Sequence, residues 1–171
     1  MIMNRIIGST ISALAGFLVG IQSSDKVDFQ YFFPQNGTNV DTAQHLLDVA
    51  TSIVQQSNFA ILSTVNEDGG VSSRMIQPLQ LRGEKIYFST NLKSRKVPEM
   101  KKNSKCTLTY MSAKEMAYAC WEGDAMQQED RKEAKKQWRE WLRVHYPEGP
   151  DGERFSTWSV KPQKIQVVSL S

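Results

Sequence analysis

The fold is decided by residues 85–103, which read KIYFSTNLKSRKVPEMKKN. The opening of this stretch is rich in β-branched and aromatic side chains, which are typical of a strand. Proline is tolerated in the first turn of a helix but not in its interior, so Pro98 predicts a short helix that begins near Ser94 or Arg95. We expect the Ser94 hydroxyl to cap this helix and Asn103 to end it. The stretch therefore predicts a strand that turns into a short basic helix.

The start of the predicted helix is a candidate anion site. Ser94, Arg95 and Lys96 would place a hydroxyl and two cations beside free backbone N–H groups at the positive end of the helix dipole. Charged donors of this kind bind phosphate oxygens strongly. Basic runs are also common on solvated surfaces, so this segment alone leaves both interpretations open.

A second stretch, residues 69–78, begins with a Gly-Gly turn and continues as a predicted strand that carries Arg74 among apolar residues. Together Arg74-Met75, Ser89-Thr90-Asn91 and Ser94-Arg95-Lys96, with the spacing between them, resemble the FMN-binding split-barrel family of pyridoxamine 5'-phosphate oxidase and its relatives. The resemblance extends from about Asn58 to the C-terminus. It implies a mainly β fold, an antiparallel split β-barrel of Greek-key type with accessory α-helices.

The resemblance also implies a cofactor and a set of binding residues. In this family the matching segments hold FMN at a dimer interface, so we expect FMN and a homodimer. The implied contacts are to the phosphate from Arg74, Arg95, Lys96 and Ser94, and to the ribityl chain and ring from Ser89, Thr90, Met75, Ile76 and Gln77. We expect a flavin-dependent oxidoreductase acting on an unidentified small molecule, with no catalytic side chain assigned, because the flavin itself carries the hydride chemistry.

The chain departs from true pyridoxamine phosphate oxidases at three places. Leu79 stands where that pattern has a lysine, Tyr118 stands where it has a glutamine that contacts flavin, and the C-terminal Arg-Leu-x-Pro signature is absent. A predicted helix over 127–146, followed by the sequence YPEGP at 146–150, is similar instead to the general stress protein branch of the family.

The alternative function is a non-catalytic flavin-binding or haem-binding stress-response protein. Haem ligation requires an axial ligand such as histidine. The chain has two histidines, His45 and His145, and neither falls in a predicted barrel strand. This placement favours the flavin interpretation.

Composition limits the remaining possibilities. A chain of 171 residues with a formal net charge of +3 is long enough to bury a core as one domain without disulfides. The small basic excess predicts no nucleic-acid binding. Cys106 and Cys120 fall in predicted strands without metal-type spacing, which predicts buried reduced thiols.

The N-terminal region differs from the rest. Residues 6–24 carry no charge and follow Arg5, so residues 1–24 are a candidate targeting segment or membrane tether, with a helix packed on the domain as the alternative. Residues 25–40 are predicted to be a linker. We expect residues 41–171 to form the split-barrel domain.

The predicted elements of that domain alternate apolar and polar residues with clear periods. A helix capped by Asp41 has an apolar face from Ala43 to Val54. An amphipathic helix is predicted over 127–146. The predicted strands are Phe59–Val65, Val71–Leu81, Lys85–Ser89, Ser104–Met111, Met116–Met126, Phe155–Val160 and Ile165–Leu170.

Overall fold

A computed structural model describes residues 16–22, 28–34 and 43–169. Within those ranges the strands are β1 (Gly16–Gln22), β2 (Asp28–Pro34), β3 (Ala60–Val65), β4 (Val71–Ile76), β5 (Pro78–Arg82), β6 (Lys85–Asn91), β7 (Lys105–Ser112), β8 (Ala117–Gln127) and β9 (Phe155–Ser169). The helices are α1 (Ala43–Gln56), α2 (Lys96–Lys102) and α3 (Arg131–Lys136), with 3-10 helices at Glu140–Val144 and Gly149–Asp151.

One curled sheet contains all of these strands. Its main path runs β1-β2-β9-β8-β7-β3-β4, and β6 joins it by pairing with β9 on one side and β5 on the other. Every ladder is antiparallel except β2 with β9. β4 and β5 follow each other through Gln77, but no ladder joins them among the described residues. The sheet is therefore a barrel split between β4 and β5, and the predicted fold class is confirmed.

Side chains fill the barrel interior. Alternate residues of β6, β7, β8 and β9 point inward, and Trp121 and Trp158 are among the largest side chains that are almost fully buried. α1 adds Leu46, Ala50 and Ile53 to the same core, and α2 adds two further apolar side chains. A small barrel packed in this way leaves no room for a ligand inside. A binding site must lie on the outside or at the split.

Three predicted elements differ from the structure. The predicted strand Val71–Leu81 breaks at Gln77, because Pro78 has no N–H with which to continue a ladder. The two closing strands are one strand, β9. The single helix over 127–146 is wrong: α3 spans six residues, and the chain then turns and continues as a 3-10 helix.

Packing on β9 explains the shortened helix. The ring of Phe155 meets the rings of Trp138 and Tyr146 edge to face, with centroids 5.2 Å apart in each case. These two contacts, with Leu142, form a separate apolar cluster on the outer face of the barrel. Segment 131–151 therefore lies over β6 and β9 as a cover.

The N-terminal residues that the structure describes are strands. β1 lies within the predicted targeting segment, and β2 lies within the predicted linker, where it pairs in parallel with β9. The rest of residues 1–40, and the predicted cap Asp41, lie outside the described residues. α1 confirms the predicted first helix. None of the described helices combines the length and the apolar character needed to cross a membrane.

Candidate functional site

A cleft of about 360 Å³ opens at the split of the barrel. β5 begins with Pro78 opposite Phe88, so the last residues of β6 have no β5 neighbour and a gap remains beside β4. The cleft is lined by Met75, Ile76 and Gln77 from the end of β4 and its junction to β5, Ser89, Thr90 and Asn91 from β6, Lys96 from α2, and Trp141, Leu142, His145 and Tyr146 from the cover. Six of the nine predicted site residues therefore line one cavity.

Lys96 is held at the floor of the cleft by hydroxyl groups. Its Nζ donates to Thr90 Oγ1 at 2.9 Å and to Ser94 Oγ at 3.4 Å, and the two hydroxyls lie 3.0 Å apart. Burial lowers the pKa of Lys96, the charge of Arg74 lowers it further, and Glu99 raises it in part. This half-buried ammonium has no carboxylate within ion-pairing distance among the described residues. A bound anion would compensate for its burial.

Arg74 is paired with a carboxylate from α2. Its Nη2 lies 2.6 Å from Glu99 Oε2, and its Nη1 donates to Thr64 Oγ1, which in turn donates to the same carboxylate. Burial alone would raise the pKa of Glu99, but the hydrogen bonds from Thr64 and Arg74 and the charges of Arg74 and Arg95 outweigh it, so that pKa is lowered. The arginine that the resemblance assigned to a phosphate thus already has a buried partner.

The helix start differs from its prediction in one respect. α2 begins at Lys96, Arg95 occupies the N-cap position with helical dihedral angles, and no side chain caps the helix. The predicted Ser94 cap is wrong, because that hydroxyl bonds Thr90 and Lys96 instead. The prediction that Asn103 ends the helix is confirmed, since its N–H donates to Glu99 O.

The charges around the cleft leave a net positive site. Arg74, Arg95 and Lys96 contribute three positive charges, and Glu99 contributes one negative charge. The sum of these four groups is +2. A phosphate monoester carries about −1.5 to −2 at neutral pH. This charge matches a phosphate monoester, and Lys96 is the member of the four that lines the cleft, with Thr90 beside it.

Residues 42–167 match the model of the family described as pyridoxamine 5'-phosphate oxidase like. The chain belongs to this family. No curated protein matches the sequence.

Solved structures with the same fold include two that are related to general stress proteins. A protein related to general stress protein 26 from Clostridium acetobutylicum is 23% identical, with a TM-score of 0.64 over 71% of this chain and 86% of that one. General Stress Protein 26 from Bacillus anthracis is 23% identical, with a TM-score of 0.64 over 72% and 93%. A heme binding protein from Mycobacterium smegmatis is 17% identical, with a TM-score of 0.57 over 70% and 52%. At these identities the likeness establishes the fold.

Two departures from the pattern of pyridoxamine 5'-phosphate oxidases now have positions in the fold. Leu79 packs against the apolar cluster of Leu142, Tyr146 and Phe155, so this position supports the cover rather than the cleft. Tyr118 lies on β8 opposite Met111 and does not line the cleft of its own chain.

The sequence does not predict the contribution of the cover to the cleft. It predicts one amphipathic helix over 127–146, whereas in the structure Trp141, Leu142 and His145 line the cleft with Tyr146. Burial raises the pKa of Tyr146, and a hydrogen bond with Ser89 lowers it in part. The sequence YPEGP after this segment signalled a reversal of the chain, and Gly149, with φ of +78°, lies within it.

Proposed function

We propose that this cleft binds FMN and that the protein is an FMN-dependent oxidoreductase acting on a small molecule. The observation that carries the proposal is the half-buried Lys96 ammonium, which shares two hydroxyls at the floor of a cleft with a net positive charge. The cavity volume of about 360 Å³ falls within the range of small-molecule and cofactor sites.

The residues present fit the phosphate end of FMN. Lys96 would donate a charge-assisted hydrogen bond, and Thr90 and Ser94 would add hydroxyl donors. Arg95 is exposed at the start of α2 and would contribute charge from the solvent side. Arg74 would act mainly through its field, because Glu99 and Thr64 occupy its guanidinium.

The remaining lining suits the ribityl chain and the ring. Ser89, Gln77 and Asn91 offer polar groups, whereas Met75 offers apolar surface near solvent. FMN, when bound, supplies two-electron chemistry, and the chain supplies position, charge and partial exclusion of water.

Flavin release tests this proposal directly. Purified protein made without added cofactor should carry a flavin that chromatography identifies as FMN. We expect FMN and not FAD, because the cations suit one terminal phosphate and the described residues of the site form no glycine-rich loop for a pyrophosphate. Recovery of FAD in stoichiometric amount would refute the FMN assignment. Protein that carries no flavin and does not bind added FMN would refute the proposal entirely.

We also propose a homodimer. The outer face of β3, β4 and β7 exposes Ile61, Val71, Met75 and Met111, the last three by 73%, 64% and 67%. Ile61 and Met75 are direct neighbours across the β3–β4 ladder. Met75 also lines the cleft, so a second copy on this face would border the cofactor.

Sedimentation tests the homodimer. The wild type should sediment as a dimer, and Met111→Glu, which places a charge on this exposed apolar face, should shift it toward monomer. A wild-type monomer that still holds FMN tightly would contradict the dimer proposal.

A second candidate function is haem binding without catalysis. One observation favours it: His145 lines the cleft, where an axial ligand would be needed. The visible absorption spectrum of the purified protein separates the two candidates, because flavin and haem absorb at different wavelengths. A haem spectrum that disappears in His145→Gln would replace the flavin proposal.

A further inference from the structure

His145 lines the cleft and has no role in the proposed binding of FMN. It follows the 3-10 helix Glu140–Val144, and its side chain is exposed at the cavity. Within the described residues its imidazole makes no hydrogen bond and no ion pair. Both ring nitrogens are therefore free to donate or accept a proton.

The other titratable groups around the cleft are already engaged. Lys96 bonds Thr90 and Ser94. Tyr146 is buried and bonds Ser89. Neither the described residues of β4 nor those of β6 that line the cavity carry a titratable side chain. Arg143, from the same 3-10 helix, is paired with Glu140 at 3.0 Å.

The imidazole is therefore the group of the cleft lining that can exchange a proton without breaking a hydrogen bond of the described residues. Histidine is the side chain whose ordinary pKa lies between pH 5 and 8, which suits a group that exchanges a proton during a reaction. When a hydride reduces a carbonyl compound, the oxygen also takes up a proton, and the FMN proposal assigns that proton to no other residue.

The walls of the cleft indicate what kind of molecule lies beside His145. Apart from Lys96 and the histidine itself, the lining residues are uncharged. Trp141 is 40% exposed at the cavity and offers an aromatic face. Aromatic faces stack on planar rings, and an uncharged lining does not compensate a second ligand charge.

We propose that His145 is the proton-transferring residue of the cleft and that its substrate is an uncharged, planar carbonyl compound of the quinone class. The inference rests on the proposed binding of FMN. The quinone takes up two electrons and two hydrogens, one as hydride from two-electron-reduced FMN and one as a proton from the His145 imidazolium. Both carbonyl oxygens then become O–H groups, and the imidazole recovers its proton from water.

Nuclear magnetic resonance tests the placement of His145 without any turnover. The chain has two histidines, so their imidazole C–H signals can be assigned with His45→Asn and His145→Gln. His45 lies exposed on α1 and serves as the control. Adding FMN should move the His145 signal and its titration midpoint and leave His45 unchanged. Saturating FMN that leaves the His145 signal and midpoint unmoved, or moves both histidines equally, would overturn the placement.

Rapid mixing tests the proton transfer. FMN-loaded protein, reduced with dithionite without oxygen, is mixed with 1,4-naphthoquinone at several pH values. The wild-type rate should fall as the pH rises through the measured His145 midpoint, because the proton donor is the imidazolium. His145→Gln should keep its FMN affinity, react about a hundredfold more slowly and lose this pH dependence. His45→Gln should match the wild type.

The outcomes distinguish a failure of this inference from a failure of the FMN proposal on which it rests. Wild-type protein that binds no FMN refutes the FMN proposal, and this is known before any histidine is changed. Protein that binds FMN but fails to reduce naphthoquinone, or a His145→Gln variant with the wild-type rate and pH profile, refutes the inference alone.

Discussion

Replacing Lys96 with methionine separates ligand binding from stability. The Lys96 ammonium is half-buried, lies 2.9 Å from Thr90 Oγ1 and has a lowered pKa because of its burial. Methionine keeps an unbranched stem of similar length and removes the charge, while the Thr90 and Ser94 hydroxyls still bond each other. The free protein should therefore unfold at the wild-type temperature or above it.

FMN affinity should respond in the opposite direction. A hydrogen bond to a charged group contributes about 1.5–3 kcal/mol, so losing the Lys96 contact should weaken FMN about tenfold to a hundredfold. Riboflavin lacks the phosphate and should bind both proteins alike. Lys93→Met is the matched control, because Lys93 is exposed three residues earlier and its charge is screened by solvent.

Lys96→Met should also alter how FMN affinity and stability depend on pH. A phosphate contact needs the protonated lysine, so wild-type FMN affinity should fall as the pH rises through the lowered pKa of Lys96, before the ordinary value of 10.5 is reached. The burial cost of the charged form also disappears over that window, so any stability advantage of Lys96→Met should shrink there. Flavin fluorescence and thermal unfolding measure both effects. If Lys96→Met weakened FMN and riboflavin equally, or if Lys93→Met weakened FMN as much as Lys96→Met does, the placement of the phosphate at Lys96 would be refuted.

Three further predictions concern stability. Glu99→Gln should lower the free energy of unfolding, measured by urea denaturation at neutral pH, by about 3 kcal/mol. The loss should persist above pH 4.5 and vanish as the pH falls through the lowered pKa of Glu99. A loss that does not depend on pH would contradict this prediction. Gly123→Ala should cost about 3 kcal/mol, because its Cβ would lie 2.0 Å from the Lys161 carbonyl oxygen, whereas Gly70→Ala should cost much less; similar melting temperatures for both would be evidence against this. Leu79→Lys, which restores the family lysine, should cost about 2 kcal/mol and leave FMN affinity no tighter, and a gain in affinity would show that this position reaches the phosphate.

Features that depend on neighbouring residues were predicted from the sequence. Gly69 and Gly83 have φ of +81° and +56°, and each lies in a turn between two strands that the sequence predicted. The apolar and aromatic opening of 85–103 forms β6, and Pro98 falls within the first turn of α2. The prediction that Cys106 and Cys120 are buried thiols is confirmed.

Features that depend on distant contacts were missed. The pair of Arg74 and Glu99 joins residues 25 positions apart, and nothing in the local sequence of either marks the other. The helical period of 127–146 was real, but the contacts of Trp138 and Tyr146 with Phe155 outweigh helix propensity after Lys136. Consequently the charge of the cleft and the position of its cover could be determined only from the structure.

β9 determines when the barrel can form during synthesis. It pairs with β2, β6 and β8, and each of these strands leaves the ribosome before it does. Pairing across such long separations is slow because the loop entropy must be overcome first. Until Phe155–Ser169 emerges, the facing edges of those three strands expose unpaired backbone groups, which can pair with other chains. Ribosomes that stall shortly before residue 155 would therefore release a product with the core residues of most strands but with an open, aggregation-prone sheet.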